Sequence, residues 1–518
     1  MNLLKKMNEI IYPLFFSYHQ IIMESYLSHL PSDKYTDNES DNESDISNMG
    51  LTIFPQELVS TFKHLKILNC SNNRLFSLPP LNDCDSLQEL HCSHNNLTLL
   101  PPLNDSLRVL NCCNNLLTTL PPLINTSLRT LSCSHNQLTS LPLLNDSLEE
   151  IYCSSNQLSS LPPFNPSLRF IHCFYNRITF IPSLNASLDT LSCSSNLLTS
   201  LPPLNESLRH LYCAYNELTL LPVLNDSLTE LCCDNNKLAS FPPLINTSLI
   251  KLNCSYNQIT LLPPLNHSLR SLNCSHNQLT WMPLLNDSLE TLHCSHNQLT
   301  FLPPVINFSL QELYCSYNNL TSLPLLNTSL KFLCCLNNQL TSLPLLNDSL
   351  CGLFCSNNKI TLLPPLNNSL EVLWCCENKL TFLPPLNTNT SLHTLHCFNN
   401  QLTSLPPLLN SSLNELYCSY NPLSCIPDLN DSLRYLIWNN TPIYTLLNGN
   451  RENISKWNHF REYYFLSSLK KKFISWMWKT REEKIKEQFH YKHLLRFMEE
   501  SDNLEDVDLD PFLENFIK

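Results

Sequence analysis

The sequence predicts a solenoid: a stack of short turns with a parallel β-sheet on its concave face, an extended polyproline-like convex side and helical caps at its flanks. Three observations carry this. Eighteen cysteines recur every 20 to 22 residues from Cys70 to Cys418, each followed by an asparagine three positions later and a proline nine positions later. A fixed period of that length marks an architecture in which one turn cannot bury its own apolar face and must stack on its neighbours. Only three glycines occur in 518 residues, so the turns must close by other chemistry. Because such an array grows in one dimension, one solenoid with two flanking pieces accounts for a length that would otherwise suggest several globular domains.

In chain order, residues 1–50 come first. Met1 to Leu30 mix Leu, Ile, Phe and Tyr with few breakers and are read as partly helical, placed to cover the first turn. An uncovered terminal strand would invite pairing with another chain. Asp33 to Asp45, with its doubled Asn-Glu-Ser-Asp, carries almost no apolar residue and is read as a flexible acidic linker. The array is expected over residues 51–441, with Leu51 to Leu68 as an opening repeat whose strand is altered.

Each turn follows the pattern LxxLxCxxNxLTxLPPLNxS. Side chains alternate across a strand, so Leu110 and Cys112 point inward and Asn111 outward. The repeated asparagine (Asn73, Asn95, Asn115, Asn136 and onward to Asn421) stands where the chain leaves the strand. There an inward amide can bond backbone groups that would otherwise be orphaned, which predicts an asparagine ladder. Leu-Pro-Pro-Leu then holds the return path extended, since proline fixes φ and disfavours helix in the residue before it. Asn-x-Ser ahead of each strand, as in Asn104-Asp105-Ser106, is expected to close a turn with side-chain oxygens.

Residues 442–518 are read as a helical cap with an acidic tail. Trp438 replaces the expected cysteine, and Phe465, Leu469, Phe473 and Trp476 follow helical spacing, so one face of residues 455–500 is expected to pack on the last turn. Residues 451–500 hold twelve Lys or Arg against seven acids, and residues 501–518 reverse the sign with six acids. A basic helix bearing Trp476 and Trp478 also has the composition of a membrane-docking or nucleic-acid-docking segment, but a cap with a solvated charged face is the commoner use.

With 14% charged residues and a formal net charge of −13, nonspecific nucleic-acid binding by the whole chain is disfavoured. Of the 25 cysteines, eighteen fill one inward column; Cys84, Cys113, Cys232, Cys334, Cys351, Cys376 and Cys425 fall outside it. Parallel neighbours lie about 4.8 Å apart, beyond comfortable Cβ separation for a disulfide, so free thiols in a reducing, intracellular compartment are expected. The Asn-x-Ser/Thr triplets are also glycosylation acceptors, although turn closure is the more economical reading. Glu9 and Pro13 interrupt the apolar stretch Ile10 to Phe16, which argues against a signal peptide, and no segment is long enough to span a bilayer.

On these repeats the chain resembles a leucine-rich-repeat protein, and the Leu-Pro after each strand is similar to the short LPX subclass of bacterial effectors. The likeness covers roughly Leu51 to Thr441, with cysteine where those effectors carry a larger aliphatic residue. Phe473 to Lys518, with Trp476-Met477-Trp478, Arg481-Glu482-Glu483-Lys484-Ile485 and Asp508-Leu509-Asp510, resembles a tail found in proteins of giant amoeba-infecting DNA viruses of the mimivirus kind. That resemblance implies a viral source and no particular activity.

Catalysis needs several groups fixed together, whereas here the chemistry is spread evenly around a repeat, and no enzyme is expected. Effectors of the LPX class often carry a C-terminal ubiquitin ligase with a cysteine nucleophile, but no cysteine follows Cys425. His91-Cys92-Ser93-His94 and His293-Cys294-Ser295-His296 have metal-ligand residue types, yet on a strand the first His and the Cys face opposite ways, so no metal or other cofactor is expected.

The concave face remains. Its first column of candidate contact residues, one position before the Cys, includes His91, Tyr152, His172, Tyr212, His293, Tyr314, Trp374, His396 and Tyr417. A second column, two positions past the Cys, includes His94, Tyr175, Tyr215, Tyr256, His276, His296, Tyr317 and Tyr420. Tyr and His give amphipathic contact area with little entropy to lose, although stacking between neighbouring strands is the competing use. At about 4.8 Å per strand the face would extend about 85 Å. The expected function is a monomeric, non-enzymatic scaffold that binds a protein on this face in an infected host cell. A ubiquitin-pathway adaptor or ligase-like effector and a structural virion component are the alternatives.

Overall fold

The computed structural model describes residues 43–55, 64–81, 84–123, 127–244, 248–305, 307–386, 391–407 and 412–488. The expected N-terminal helical segment, most of the acidic linker and the acidic tail lie outside them. The chain forms two compact units, one up to Cys173 and one from Phe174 onward. In the first, β1 (Glu43–Asp45), β2 (Ile67–Asn69), β3 (Glu89–His91), β4 (Val109–Asn111), β5 (Thr130–Ser132), β6 (Glu150–Tyr152) and β7 (Phe170–His172) each pair in parallel with the next. The second continues the pattern from β8 (Thr190–Ser192) to β20 (Tyr435–Ile437). The strands run in register, Leu272 beside Leu292 and Asn273 beside His293, so every position of the repeat becomes a column.

The core consists of those columns. Leu269, Leu272, Cys274 and Leu279 of one turn are wholly buried, and the same positions are buried turn after turn. Burying each leucine contributes about 1.5–3 kcal/mol. Cysteine fits where the turn is narrow, as a small hydrophobe. All the described cysteines are free, and burial pushes the Cys153 and Cys193 thiols up to about 12, so they stay protonated and are not nucleophiles.

The asparagine ladder is present in full. The Asn297 amide donates to the carbonyls of Cys274 in the preceding turn (3.0 Å) and of Cys294 (3.1 Å) and Ser295 (3.2 Å) in its own, while its Oδ1 accepts from the Leu279 amide at 2.9 Å. One side chain thus satisfies buried groups on two turns. The residue just before each ladder asparagine is left-handed, with φ from 52° at Tyr256 to 56° at His135, and Asn48 and Asn440, which precede Met49 and Thr441 at the same place in their turns, share the conformation. That conformation costs a residue with a Cβ about 1–2 kcal/mol. Bonds from the next turn hold it there: His296 N–H donates to Ser316 C=O at 2.9 Å and Asn297 N–H to Tyr317 C=O at 3.2 Å.

Three expectations are corrected. The sheet starts inside the stretch read as linker, because Glu43–Asp45 pairs with Ile67–Asn69. Ile46 stands there in the cysteine column, buried, its carbonyl accepting from the Asn73 amide at 2.8 Å. A search for cysteine passes over that turn. Second, the asparagine of Asn-x-Ser does not close its turn with its side-chain oxygen. Asn286 uses its amide hydrogens instead, donating to the carbonyls of Asn266 (2.9 Å), His267 (3.1 Å) and Leu269 (2.8 Å) in the preceding turn. The turn closes through the backbone, Leu289 N–H to Asn286 C=O at 3.4 Å. Buried oxygens Oδ1 of Asn266, Asn286, Asn307 and Asn327 find no donor among the described residues.

Third, the C-terminal helix caps with a different part of itself. Trp438 fills the cysteine position, buried, and Thr441 Oγ1 replaces the ladder amide, donating to Trp438 C=O at 2.8 Å while accepting from Tyr444 N–H at 3.1 Å. Thr441 thereby N-caps the short helix α1 (Pro442–Leu446). Helix α2 (Asn453–Gln488) meets the array with its beginning: Ile454 is buried and Asn458 donates to Ile426 C=O at 2.9 Å. Phe465, Leu469 and Phe473, the face expected to pack on the last turn, are exposed.

Candidate functional site

Both predicted columns lie on the strand face, and they behave differently. The first consists of middle-of-face side chains, one beside the next at strand spacing, and a planar ring there meets its neighbour flat on. Tyr152 and His172 stack at 5.0 Å, His293 and Tyr314 at 4.4 Å, Trp374 and His396 at 5.2 Å, and His396 and Tyr417 at 4.2 Å, all within 9° of parallel. Their faces are used on each other. His172, Tyr212 and His396 are buried, so this column is in large part a structural seam of the sheet.

Acids beside the seam, which sequence reasoning passed over, hold its polar tips. Tyr152 donates its hydroxyl to Glu150 at 3.3 Å and Tyr212 to Glu230 at 2.7 Å; His91 lies 3.2 Å from Glu89 and His396 3.3 Å from Glu415. The Lys251 ammonium, 2.6 Å from Glu230, completes that cluster. The signal was a recurring glutamate three residues before the cysteine, at Glu89, Glu150, Glu230, Glu312 and Glu415. Burial, with Glu415 beside it, pushes the Tyr417 phenol up to about 12.

The second column coincides with the left-handed residues, whose geometry turns side chains outward at the rim. Tyr256, His276, His296 and Tyr317 form one continuous stack, with centroids 4.0, 4.0 and 4.1 Å apart. His94 is bridged to Asn114 at 3.3 Å. Tyr175 and Tyr420 are 56% and 58% exposed, and Tyr215 and Tyr256 are exposed as well. This rim is where ring faces and hydroxyls reach solvent. In the two His-Cys-Ser-His stretches the cysteine is wholly buried under the face that carries the first His, and no cluster of three metal-ligand side chains occurs among the described residues.

Burial pushes His172 and His293 down to about 4, and burial together with the neighbouring His296 does the same for His276. In the unfolded chain these rings take up protons near the ordinary 6.5. Below that pH the unfolded state binds more protons than the folded one, so stability is complete above about 6.5 and is lost as pH falls toward 4. The melting temperature should fall steadily over that window. His172→Phe together with His293→Phe, which keep the stacks, should flatten the fall; an unchanged slope would show that the acid sensitivity arises elsewhere.

A family model for leucine rich repeats (2 copies) matches residues 126–166 and 368–410, and a single leucine rich repeat model matches residues 288–308. The fold is similar to YopM from Yersinia enterocolitica WA-314, at 32% identity over 76% of this chain and 91% of that one, with a TM-score of 0.68. It is also similar to the LRR protein LIC12759 of Leptospira interrogans, at 28% identity over 64% of this chain and 89% of that one, with a TM-score of 0.52. Among curated proteins nothing matches.

Proposed function

We propose, from the premise that this chain belongs to the leucine-rich-repeat proteins, that it is a binding scaffold which holds a protein partner on the exposed rim of its strand face. Proteins of this fold are in general interaction scaffolds, and the finer reading rests on one observation: of the two ring columns on the strand face, the fully exposed rings are in the column at the left-handed position. Tyr175, Tyr215, Tyr256 and Tyr420 offer hydroxyls and ring edges there without being needed to fill the core. The stacked, partly buried first column makes the floor on which they stand.

Action inside a cell belongs to the same proposal, supported by a column of buried, free thiols suited to a reducing compartment. An infected host cell as the setting rests on the resemblance of residues 473–518 to viral tails. A partner retained from cell extract by the immobilised chain should be lost when Tyr175 and Tyr420 are both changed to serine, at unchanged melting temperature. Retention of the partner by the double variant would sink the rim reading. A parallel fall in melting temperature would return these tyrosines to a structural role.

A further inference from the structure

We propose that the open edge of strand β20 takes up a short extended segment of a second copy of this chain, residues Glu9 to Tyr12. Along the array, the backbone N–H at the cysteine position and the one two residues on are received by carbonyls of the next turn. Cys397 N–H donates to Tyr417 C=O at 2.8 Å and Asn399 N–H to Ser419 C=O at 2.9 Å; Cys418 N–H and Tyr420 N–H meet Ile437 C=O and Asn439 C=O at 2.8 and 3.2 Å. Trp438 and Asn440 hold these two positions in the last turn, and their N–H groups have no partner among the described residues. Burial changes there too. The middle residue of the preceding strands is buried, as Leu395 and Leu416 are, whereas Leu436 is only half-buried and Tyr435 and Ile437 beside it are 62% and 41% exposed.

On the return side the place of a further turn is already taken. Arg451 donates to Leu433 C=O at 2.7 Å, the bond that the next turn's asparagine makes earlier in the array, as Asn286 does with Leu269 C=O at 2.8 Å. Only the strand's place is left open, which admits one extended segment and no second array end. A lone strand added to a sheet edge is held by its main chain and selected by its side chains.

The neighbours state which side chains it needs. Four positions before the cysteine, ion pairs cross adjacent turns, Arg129 to Glu149 at 3.2 Å and Arg270 to Glu290 at 2.7 Å. Arg434 is exposed at the end of that column and calls for an acid. Tyr435, Leu436 and Ile437 then call for three apolar residues. Glu9-Ile10-Ile11-Tyr12 presents that order, and Glu149-Glu150-Ile151-Tyr152 places an acid, Ile and Tyr at the same points around β6. No other stretch of residues 1–42 or 489–518 has an acid followed by three apolar residues free of proline. Pro13 comes next, at the cysteine position, where it has no N–H to offer a further strand, so the sheet ends with the segment. Glu9 and β20 belong to different compact units, and a second copy supplies the segment without folding one unit onto the other.

In sedimentation velocity the full chain should show a mass that rises with concentration above that of one chain. Tyr435→Lys with Ile437→Lys, both at exposed positions, should weaken association at least about tenfold at unchanged melting temperature, since a charged side chain on an edge strand opposes pairing. Arg434→Glu should weaken it roughly two- to fivefold, and Glu9→Arg in the same chain should restore it. A labelled peptide of residues Lys5 to Leu14 should bind the Ile11→Asp chain, whose own segment no longer competes. Methylation of the peptide at the Ile10 nitrogen should abolish that binding, because Ile10 N–H is the counterpart of Tyr435 N–H, which donates to Asn414 C=O at 3.0 Å. A single-chain mass at every concentration overturns the proposal. So does association that survives the Tyr435→Lys, Ile437→Lys double variant, or a methylated peptide that binds as well as its parent.

Discussion

Asn297→Ala is expected to remove about 1–3 kcal/mol from the stability of its part of the array. The substitution leaves the Leu279 amide without its 2.9 Å acceptor. One buried amide left unmade costs about 1–3 kcal/mol. The Cys274, Cys294 and Ser295 carbonyls each lose a donor but keep another, from Asn277 Nδ2 at 3.1 Å, Asn318 Nδ2 at 3.0 Å and His276 N–H at 2.9 Å. Asn297→Asp separates the two halves of the role. It keeps an acceptor for Leu279 but places a carboxylate against carbonyl oxygens, and should do no better than alanine. Stability in such an array is a sum over turns and their interfaces, so the effect should be local. Amide exchange should speed by roughly tenfold or more in the turns holding Cys274, Cys294 and Cys315, and stay unchanged near Cys92. A loss below about 1 kcal/mol, or uniform acceleration, would mean that leucine burial alone holds the turns together.

A second large effect is expected if the chain is routed through a compartment that attaches sugar to Asn-x-Ser/Thr. The acceptor atom is the side-chain amide nitrogen, and in the fold that nitrogen lies between two turns. Asn286 donates to Asn266 C=O at 2.9 Å and Asn307 to Asn286 C=O at 2.8 Å, both side chains buried. A glycan on either nitrogen removes a hydrogen from the pair that bridges the turns and requires volume where the neighbouring turn sits. Secreted chain, modified before it folds, should therefore emerge protease-sensitive and without a cooperative melt. Ser288→Ala with Ser309→Ala removes those two acceptor motifs while leaving Asn286 and Asn307 in place; extended to the other Asn-x-Ser/Thr motifs, or replaced by an inhibitor of glycosylation, it should restore folding. A fully glycosylated product that melts like the unmodified protein would defeat this reasoning.

Most of the architecture was legible because in a stacked array one packing solution is written many times. The Cys, Leu and Asn columns each answer a constraint that every turn shares, and repetition makes the constraint visible. What escaped was whatever is not shared. Ile46 performs the cysteine's role once, at an end, where no neighbour repeats it. The stacking of the first column depends on which rings happen to be adjacent, such as Trp374 beside His396, and alternation along a strand says only that both face outward. The spacing of Phe465, Leu469 and Phe473 suggested a face packed on the last turn, but these side chains are exposed, because spacing names no partner. The function of Asn-x-Ser was half legible: turn residues were expected, while the direction of the amide, set by carbonyls of another turn, is a property of the stack.

The left-handed residue ahead of each ladder asparagine has a further consequence. In most proteins that backbone shape is reserved for glycine; here Asn, His, Ser, Tyr and Glu all adopt it, because amides and carbonyls of adjoining turns impose it whatever the side chain. Identity at this one site per coil is thus released from architectural duty. Lineages can rewrite the letters displayed along that edge one at a time, acquiring or discarding binding preferences while the scaffold beneath keeps its form.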